Sequence, residues 1–276
     1  MNALWLEPSL LLTRLALGLV FSALIALFAL RRGSLSPSGA WGAVCVGTLI
    51  YLGGGGSWFL VLVTFFATST LLGKVGKQEK SAIKLEFEKG DTRDLAQVLS
   101  NGGVAALAAL LALLFGESPA WSGAFVAALA TANGDTWATE LGVLSRGEPF
   151  SLFTLRRVPR GTSGAVSPLG LLATLLGGLV VGLAAALNAP AFSHHTATLI
   201  LLGALAGLLG SLVDSGLGAS IQSGFRCDAC ARDAESRTHS CGHRTRHVRG
   251  FLWFNNDVVN LAATGTAALA SWSLLR

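Results

Sequence analysis

Long apolar runs dominate this chain, and several approach or exceed the ~20 residues a helix needs to cross a hydrocarbon core. The pattern predicts an all-α polytopic membrane protein with about eight transmembrane helices. They lie at roughly 10–30, 39–52, 57–73, 98–115, 120–144, 165–187, 196–217 and 251–274. The second run is short and glycine-rich, which suits a tilted or re-entrant segment. Leu10 to Leu30 has neither the basic start nor the small-residue cleavage site of a signal peptide, and it reads as the first span. The whole chain, 1–276, reads as a single transmembrane domain, with 218–250 as a cytosolic Cys/His loop insertion.

Charge adds an orientation. Every Lys and Arg except Arg14 and Arg276 falls in 31–38, 74–97, 145–164 or 218–250, while the connections 53–56, 116–119 and 188–195 contain none. With eight spans, all four charged loops share one side. The positive-inside rule makes that side cytoplasmic, in a cell (inner) membrane, with both termini outside. Composition agrees: 52% hydrophobic, 13% charged and 34 glycines exclude an ordinary soluble domain. The formal charge of +5 does not point to nucleic acid, because the basic residues occupy loops between spans. The lipid bilayer is the expected surrounding, and no oligomeric state is implied.

Candidate chemistry collects on the cytoplasmic side. Asn133-Gly134-Asp135-Thr136-Trp137-Ala138-Thr139-Glu140-Leu141-Gly142 places two carboxylates in an otherwise apolar span, a costly arrangement kept mainly for function. On a helix, Asp135, Ala138, Thr139 and Gly142 share one stripe. Asp214 lies near the inner end of span seven, on a face made of Gly203, Gly207, Gly210 and Gly218. Asp135, Glu140 and Asp214 suit a shared Mg²⁺, which takes one or two carboxylates and completes its shell with water and phosphate. Asn101 opens span four, and Asn255, Asn256, Asp257 and Asn260 open span eight from the same side.

The loop Arg156-Arg157-Val-Pro-Arg160-Gly161-Thr162-Ser163-Gly164 joins cations, hydroxyls and glycines ahead of a helix start, as a phosphate site does. It is not a Walker loop. The loop with Lys74 and Lys77 is charge-balanced by Glu79, Glu86, Glu88, Asp91 and Asp94 and reads first as a solvated face, although these two lysines sit at the membrane edge and could reach a nucleotide. Cys227-Asp-Ala-Cys230 followed by His239-Ser-Cys241 has the spacing of a zinc knuckle. Cys227, Cys230, His239 and Cys241 would close a structural Zn²⁺ site, with His243 as the alternative fourth ligand. Cys45, within span two, reads as packing.

These motifs resemble known membrane enzymes. Asp135-x-x-Ala138-x-x-x-Gly142 is similar to a pattern in dolichol kinases, phytol kinases and phosphatidate cytidylyltransferases. Gly210-Ser-Leu-Val-Asp214-Ser215 resembles their Gly-Asp-Leu-x-Glu-Ser element, with Ser211 in place of its acid and Asp214 in place of its Glu. A nearer resemblance is to a family of integral membrane proteins long filed as a domain of unknown function, which includes the plant phytyl-phosphate kinase of tocopherol salvage and an animal transmembrane relative. It rests on NGDTWATELG, RGTSGAVSPLG, GSLVDS and the cysteine loop running into Asn255-Asn256-Asp257-x-x-Asn260.

That resemblance implies transfer of a phosphoryl group from an NTP (CTP or another) to a prenyl monophosphate, giving the prenyl diphosphate. Mg²⁺ on Asp135 and Asp214 would bridge donor phosphates. Arg156, Arg157 and Arg160 would neutralise the transferred group, beside Thr162 and Ser163. Glu140 would be a metal ligand or an orienter, and Asn101, Asn133, Asn255 and Asp257 would position phosphate oxygens or the nucleotide. The competing classes are a CTP-dependent nucleotidyltransferase acting on a lipid phosphate and an anion or proton-coupled transporter. The latter calls for a polar path to the outer face, where the sequence has little beyond Glu117, His194 and His195.

Overall fold

The computed structural model describes residues 7–75, 92–145, 147–152, 154–159, 162–239 and 241–276. Seven long helices form the body among them. They are α1 (Pro8–Arg31), α2 (Pro37–Leu72), α3 (Leu95–Phe115), α4 (Pro119–Gly142), α5 (Pro168–Ala186), α6 (Thr196–Ser220) and α7 (Asn256–Leu275). Their starts are written locally. The side chains of Ser36, Asp94, Ser118, Ser167 and Asn255 each accept a hydrogen bond from the backbone N–H three residues on, and proline follows Ser36, Ser118 and Ser167 directly. Asp94 and Gln97 complete a reciprocal capping box. These caps set boundaries that hydropathy alone places a few residues away.

Six of the seven helices are long and apolar enough to cross a membrane. The exception is α4, which carries Asn133, Asp135, Thr136 and Glu140 along its second half. It is nonetheless the axis of the bundle: α2, α3, α5, α6 and α7 all pack on it, and every residue from Ser122 to Gly134 is buried. Asn133 is buried, and Asp135, Thr136 and Glu140 are half-buried and line a cavity within the bundle, so they need not face lipid.

The second and third expected spans are the two arms of one helix, α2, and no separate loop stands at 53–56. The helix is broken at Gly55, whose φ of 66° and ψ of −162° lie in a region open only to glycine. Gly39 in the first arm packs on the Arg93 carbonyl, and Gly73, just past the second arm, faces Glu140. Trp58, close after the break, instead donates from Nε1 to the Ala191 carbonyl (3.1 Å) in a 3-10 turn, Ala189–Phe192, between α5 and α6. The arms therefore run to the far pole and back. Arg14 of α1 donates to the carbonyls of Leu52 and Gly53 (3.5 and 3.4 Å), satisfying groups that the break releases. At that pole Trp58 stacks on Phe192 and packs on Phe125, closing the bundle with aromatic rings.

Small residues bring α4, α5 and α6 together. Gly178 of α5 faces Gly203 and Gly207 of α6, while Gly210 packs on Thr131 of α4. The glycine face of α6 expected from the sequence is thus a packing seam with Asp214 at its end. Asn133 bolts three elements. Its Oδ1 accepts from Thr68 (3.2 Å) and Ser69 (3.0 Å), and its Nδ2 donates to the Gly177 carbonyl (2.8 Å), with the residue fully buried. Asn133→Leu should lower stability by about 1–3 kcal/mol by stranding these partners. A thermal melt of the purified variant in detergent checks this, and an unchanged midpoint contradicts it.

The remaining elements are small. Strands β1 (Phe150–Ser151) and β2 (Ala165–Val166) pair antiparallel. After α6 come β3 (Gly224–Cys227), β4 (Arg232–Ala234) and β5 (Arg246–Arg249), a sheet in which β3 is central and both partners are antiparallel to it.

Candidate active site

A cavity of about 400 Å³ opens at the pole opposite the aromatic cluster. Three helices begin at it. Gln97 and Asn101 come from the first turns of α3, Ser167 and Gly170 from the start of α5, and Asn256 and Asn260 from the start of α7. Helix N-termini present unpaired amides and positive dipole ends, which favour anions. Arg32, Lys74 and Arg93 add positive charge to the wall. The acids Asp135 and Glu140 of α4 and Asp214 of α6 line the same space, joined by Glu235 from the segment after β4.

The geometry around Asp214 is informative. Its Oδ2 is buried and has no hydrogen-bond partner among the described residues, and two further acids, Asp135 and Glu235, line the same cavity. Leaving a buried carboxylate oxygen so placed is expensive. A hard divalent cation would relieve it, and two carboxylates in a polar cavity are a donor set that fits Mg²⁺.

Arg32 and Arg93 are residues that sequence reasoning missed. They occupy separate charged loops that looked like orientation signals. The loops are zipped together, with Arg93 N donating to the Ser34 carbonyl (3.1 Å) and Ser36 N to the Arg93 carbonyl (3.0 Å). The Arg93 guanidinium lies 5.9 and 5.5 Å from the ring centres of Phe65 and Phe66, which fix it at the wall. Burial pushes its pKa below the ordinary value, and nearby Glu140 opposes this by favouring the charged form. Glu235 and Gln222 were missed as well. Gln222 Oε1 accepts from Ser163 (3.0 Å), and its Nε2 donates to Glu235 (3.3 Å). That chain ties the loop before α5 to the sheet after α6.

Of the residues singled out from the sequence, Asp135, Glu140, Asp214, Lys74, Asn101, Thr162, Ser163, Asn256 and Asn260 come together in the cavity wall. Others do not. Asn133 is enclosed in the packing described above. Asn255 spends its side chain capping α7, accepting from Val258 N (3.1 Å), and Asp257 is buried without lining the cavity. Arg156 and Arg157 are on the surface, and Arg157 lies over the Phe150 ring, 5.6 Å from its centre. Lys77 and Arg160 lie outside the described residues.

The cysteine loop forms its own cluster. One ligand atom from each of Cys227, Cys230, His239 and Cys241 lies within 4.8 Å of the others. The Cys241 thiol is lowered to about 5, first by the backbone of His243 and then by the His239 and Cys230 side chains. Cys230 is pushed up to about 11, chiefly by its hydrogen bond with Cys241. The cluster can hold a thiolate-preferring metal.

Comparison with known proteins places the chain. It is 39% identical to Protein PGR of Arabidopsis thaliana over 233 residues, which cover 77% of this chain and 81% of that protein. It is 32% identical over 208 residues to an uncharacterized membrane protein of Methanocaldococcus jannaschii, covering 75% and 83% respectively. With Protein VTE6, chloroplastic, of Arabidopsis thaliana it shares 28% identity over 231 residues, covering 82% of this chain and 61% of that one. No solved structure matches it. A family profile described as integral membrane protein DUF92 matches residues 20–268, and this multi-pass membrane protein belongs to that family.

Proposed function

We propose that this protein is a membrane-embedded kinase, moving a phosphoryl group from a nucleoside triphosphate to a prenyl monophosphate to give the prenyl diphosphate. One observation carries the reading: Asp135 and Asp214 share a cavity with three helix N-termini and the cations Arg32, Lys74 and Arg93. Acids alone would suit a cation, and amides with arginines alone would suit an anion. Both together suit a phosphate that arrives with its metal. The resemblance to the family of the plant phytyl-phosphate kinase supports the prenyl acceptor. The cavity's volume lies in the range of small-molecule sites, at about 300–1,000 Å³.

Asp135 and Asp214 would hold Mg²⁺, which when bound supplies positive charge against the phosphate oxygens. The amides at the starts of α3, α5 and α7 would orient the phosphates. Arg93 and Lys74 would counter the charge developing on the transferred group, and Glu140 would keep Arg93 ionised and in place. The acceptor phosphate is already an anion at neutral pH, so its attack needs no strong base. An isoprenoid tail would lie among the apolar helices, with its phosphate at the charged pole. That pole would face the cytoplasm of a cell membrane, with the termini on the other side.

A product assay tests the proposal: purified protein in detergent, Mg²⁺, each of the four NTPs in turn, and farnesyl, geranylgeranyl or phytyl monophosphate. Prenyl diphosphate with NDP is the expected outcome. Pyrophosphate with a nucleotidyl-linked lipid would replace it with a nucleotidyltransferase. No turnover from protein that binds Mg²⁺ would favour a carrier.

Arg93→Ala should slow transfer by about 10²–10³, the usual cost of removing one preorganised charge from a developing anion. Arg93→Lys should recover only part of the rate, since an ammonium lacks the planar fork. Turnover numbers for both variants check this, and a normal rate for Arg93→Ala removes Arg93 from the proposal.

A further inference from the structure

We infer that Cys227, Cys230, His239 and Cys241 bind a single Zn²⁺ as a closed structural site, and that this ion clamps the segment carrying Glu235 against the cavity. The inference is independent of which reaction the cavity performs.

The fold supplies two opposed turns. Cys227 ends β3 and Cys230 lies in the turn that leads to β4, where Ala231 adopts a positive φ of 55°. The second turn is held by His239 N donating to the His243 carbonyl (3.0 Å) and Gly242 N to the His239 carbonyl (2.9 Å). Gly242, at φ 84°, makes that reversal possible. Cys227 and His239 are buried between the turns. The Sγ atoms of Cys227 and Cys241 are 3.7 Å apart. Two thiolates on a tetrahedral zinc, each about 2.3 Å from the ion, would stand about 3.8 Å apart. Thiolates with an imidazole are the donor set zinc favours over hard cations.

The sequence left His239 and His243 as alternatives, and the structure separates them. His239 is buried with its Nδ1 3.0 Å from Cys241 Sγ, whereas His243 is exposed and falls outside the four-residue cluster. With four protein ligands no position is open for substrate, so the ion's role is to hold structure.

The sheet needs such a clamp. Its strands have four, three and four residues, with Phe225 and Ala234 among its few buried apolar side chains. The ion pairs Arg226–Asp233 and Arg246–Asp228 are largely exposed and hold little. Sheets this small are not stable without further support. Because β3 and β4 are antiparallel, Gln222 and Glu235 project from one end of the hairpin while Cys227 and Cys230 occupy the other. The chain then returns through His239 and Cys241 to the cysteine end. A metal joining these four residues closes a loop with Glu235 inside it and sets where that carboxylate meets Asp214.

Elemental analysis of the full-length protein, purified without chelators, is the test. The expected result is close to one zinc per chain, released in step with modification of the thiols by a mercurial. Cobalt-grown protein should show the thiolate charge-transfer band and intense visible bands of a tetrahedral ion. Cys227→Ser and Cys241→Ser should lose the metal, while His239→Cys and His243→Ala should keep it. Zinc removal should open the loop to trypsin at Arg237 and Arg244. Folded wild-type protein without metal, whether its thiols are free or joined as a disulfide, overturns the inference even if the cysteine variants fail to fold. Loss of zinc in His243→Ala with retention in His239→Ala overturns the ligand assignment.

Discussion

Asp214→Asn is expected to lower phosphoryl transfer by about 10³ or more while leaving the protein folded and at least as stable. The reasoning uses both sides of the substitution. An amide conserves the volume and keeps an oxygen but cannot carry the charge that would hold Mg²⁺. Asp214 Oδ2 has no hydrogen-bond partner among the described residues, so no such bond is lost there. Asp135 and Glu235 line the same cavity, so removing one negative charge lessens the crowding of like charges there. Rate and stability should therefore move in opposite directions. Asp135→Asn should behave in the same way, since it lines the same space. Turnover measured beside thermal midpoints, with and without Mg²⁺, decides the matter. Mg²⁺ should raise the midpoint of the wild type and not of either variant. Near-normal turnover in either variant would sink the metal assignment, and loss of activity together with loss of fold would make these acids structural.

Gly203→Leu is expected to have the largest effect on the fold. A Cβ at Gly203 would lie 2.6 Å from both the Gly178 carbonyl oxygen and the Gly182 Cα, and one at Gly178 would collide with the Gly203 carbonyl. Those neighbours are backbone, so no rotamer change can make room, and α5 and α6 must separate. Overpacking ordinarily costs about 1–3 kcal/mol when side chains can yield, and this site should exceed that range. The consequence reaches the cavity, because Thr174 of α5 donates to Ser211 of α6 (3.4 Å) one turn before Asp214. Reduced yield of folded protein and a midpoint lower by many degrees are the expected readings. Gly103→Ala, where nothing lies within 4 Å of the added Cβ, is the control and should melt normally. Equal melting of the two proteins would contradict the close seam.

Much of this architecture was readable in the chain. Apolar runs located the helices because the thickness of a bilayer dictates their length. The helix starts at Ser36-Pro37, Ser118-Pro119 and Ser167-Pro168 differ from those of the apolar runs, because caps act within one turn and hydropathy does not register them. Asp135 and Asp214 stood out because a carboxylate in an apolar span is costly wherever its neighbours are. The two halves of the cysteine cluster, Cys227 with Cys230 and His239 with Cys241, followed from spacing, since side chains two or three residues apart can share a turn, whereas their meeting depends on the fold of the small sheet.

Other features depended on which helices are neighbours. Asn133 and Asp135 are two residues apart on one helix, yet one is locked among α2 and α5 while the other lines the cavity. Arg93 joins the site and Arg157 turns to a surface ring, although both are loop arginines. Glu235 reaches the cavity from the end of β4, where Gln222 links it to Ser163 of the loop before α5. By itself, then, the sequence determined the membrane class, the approximate places of the helices and the acids at the centre, all consequences of local composition and the cost of burial. Only the tertiary structure decided which charges face one another, because a side chain's surroundings are made by helices distant in sequence.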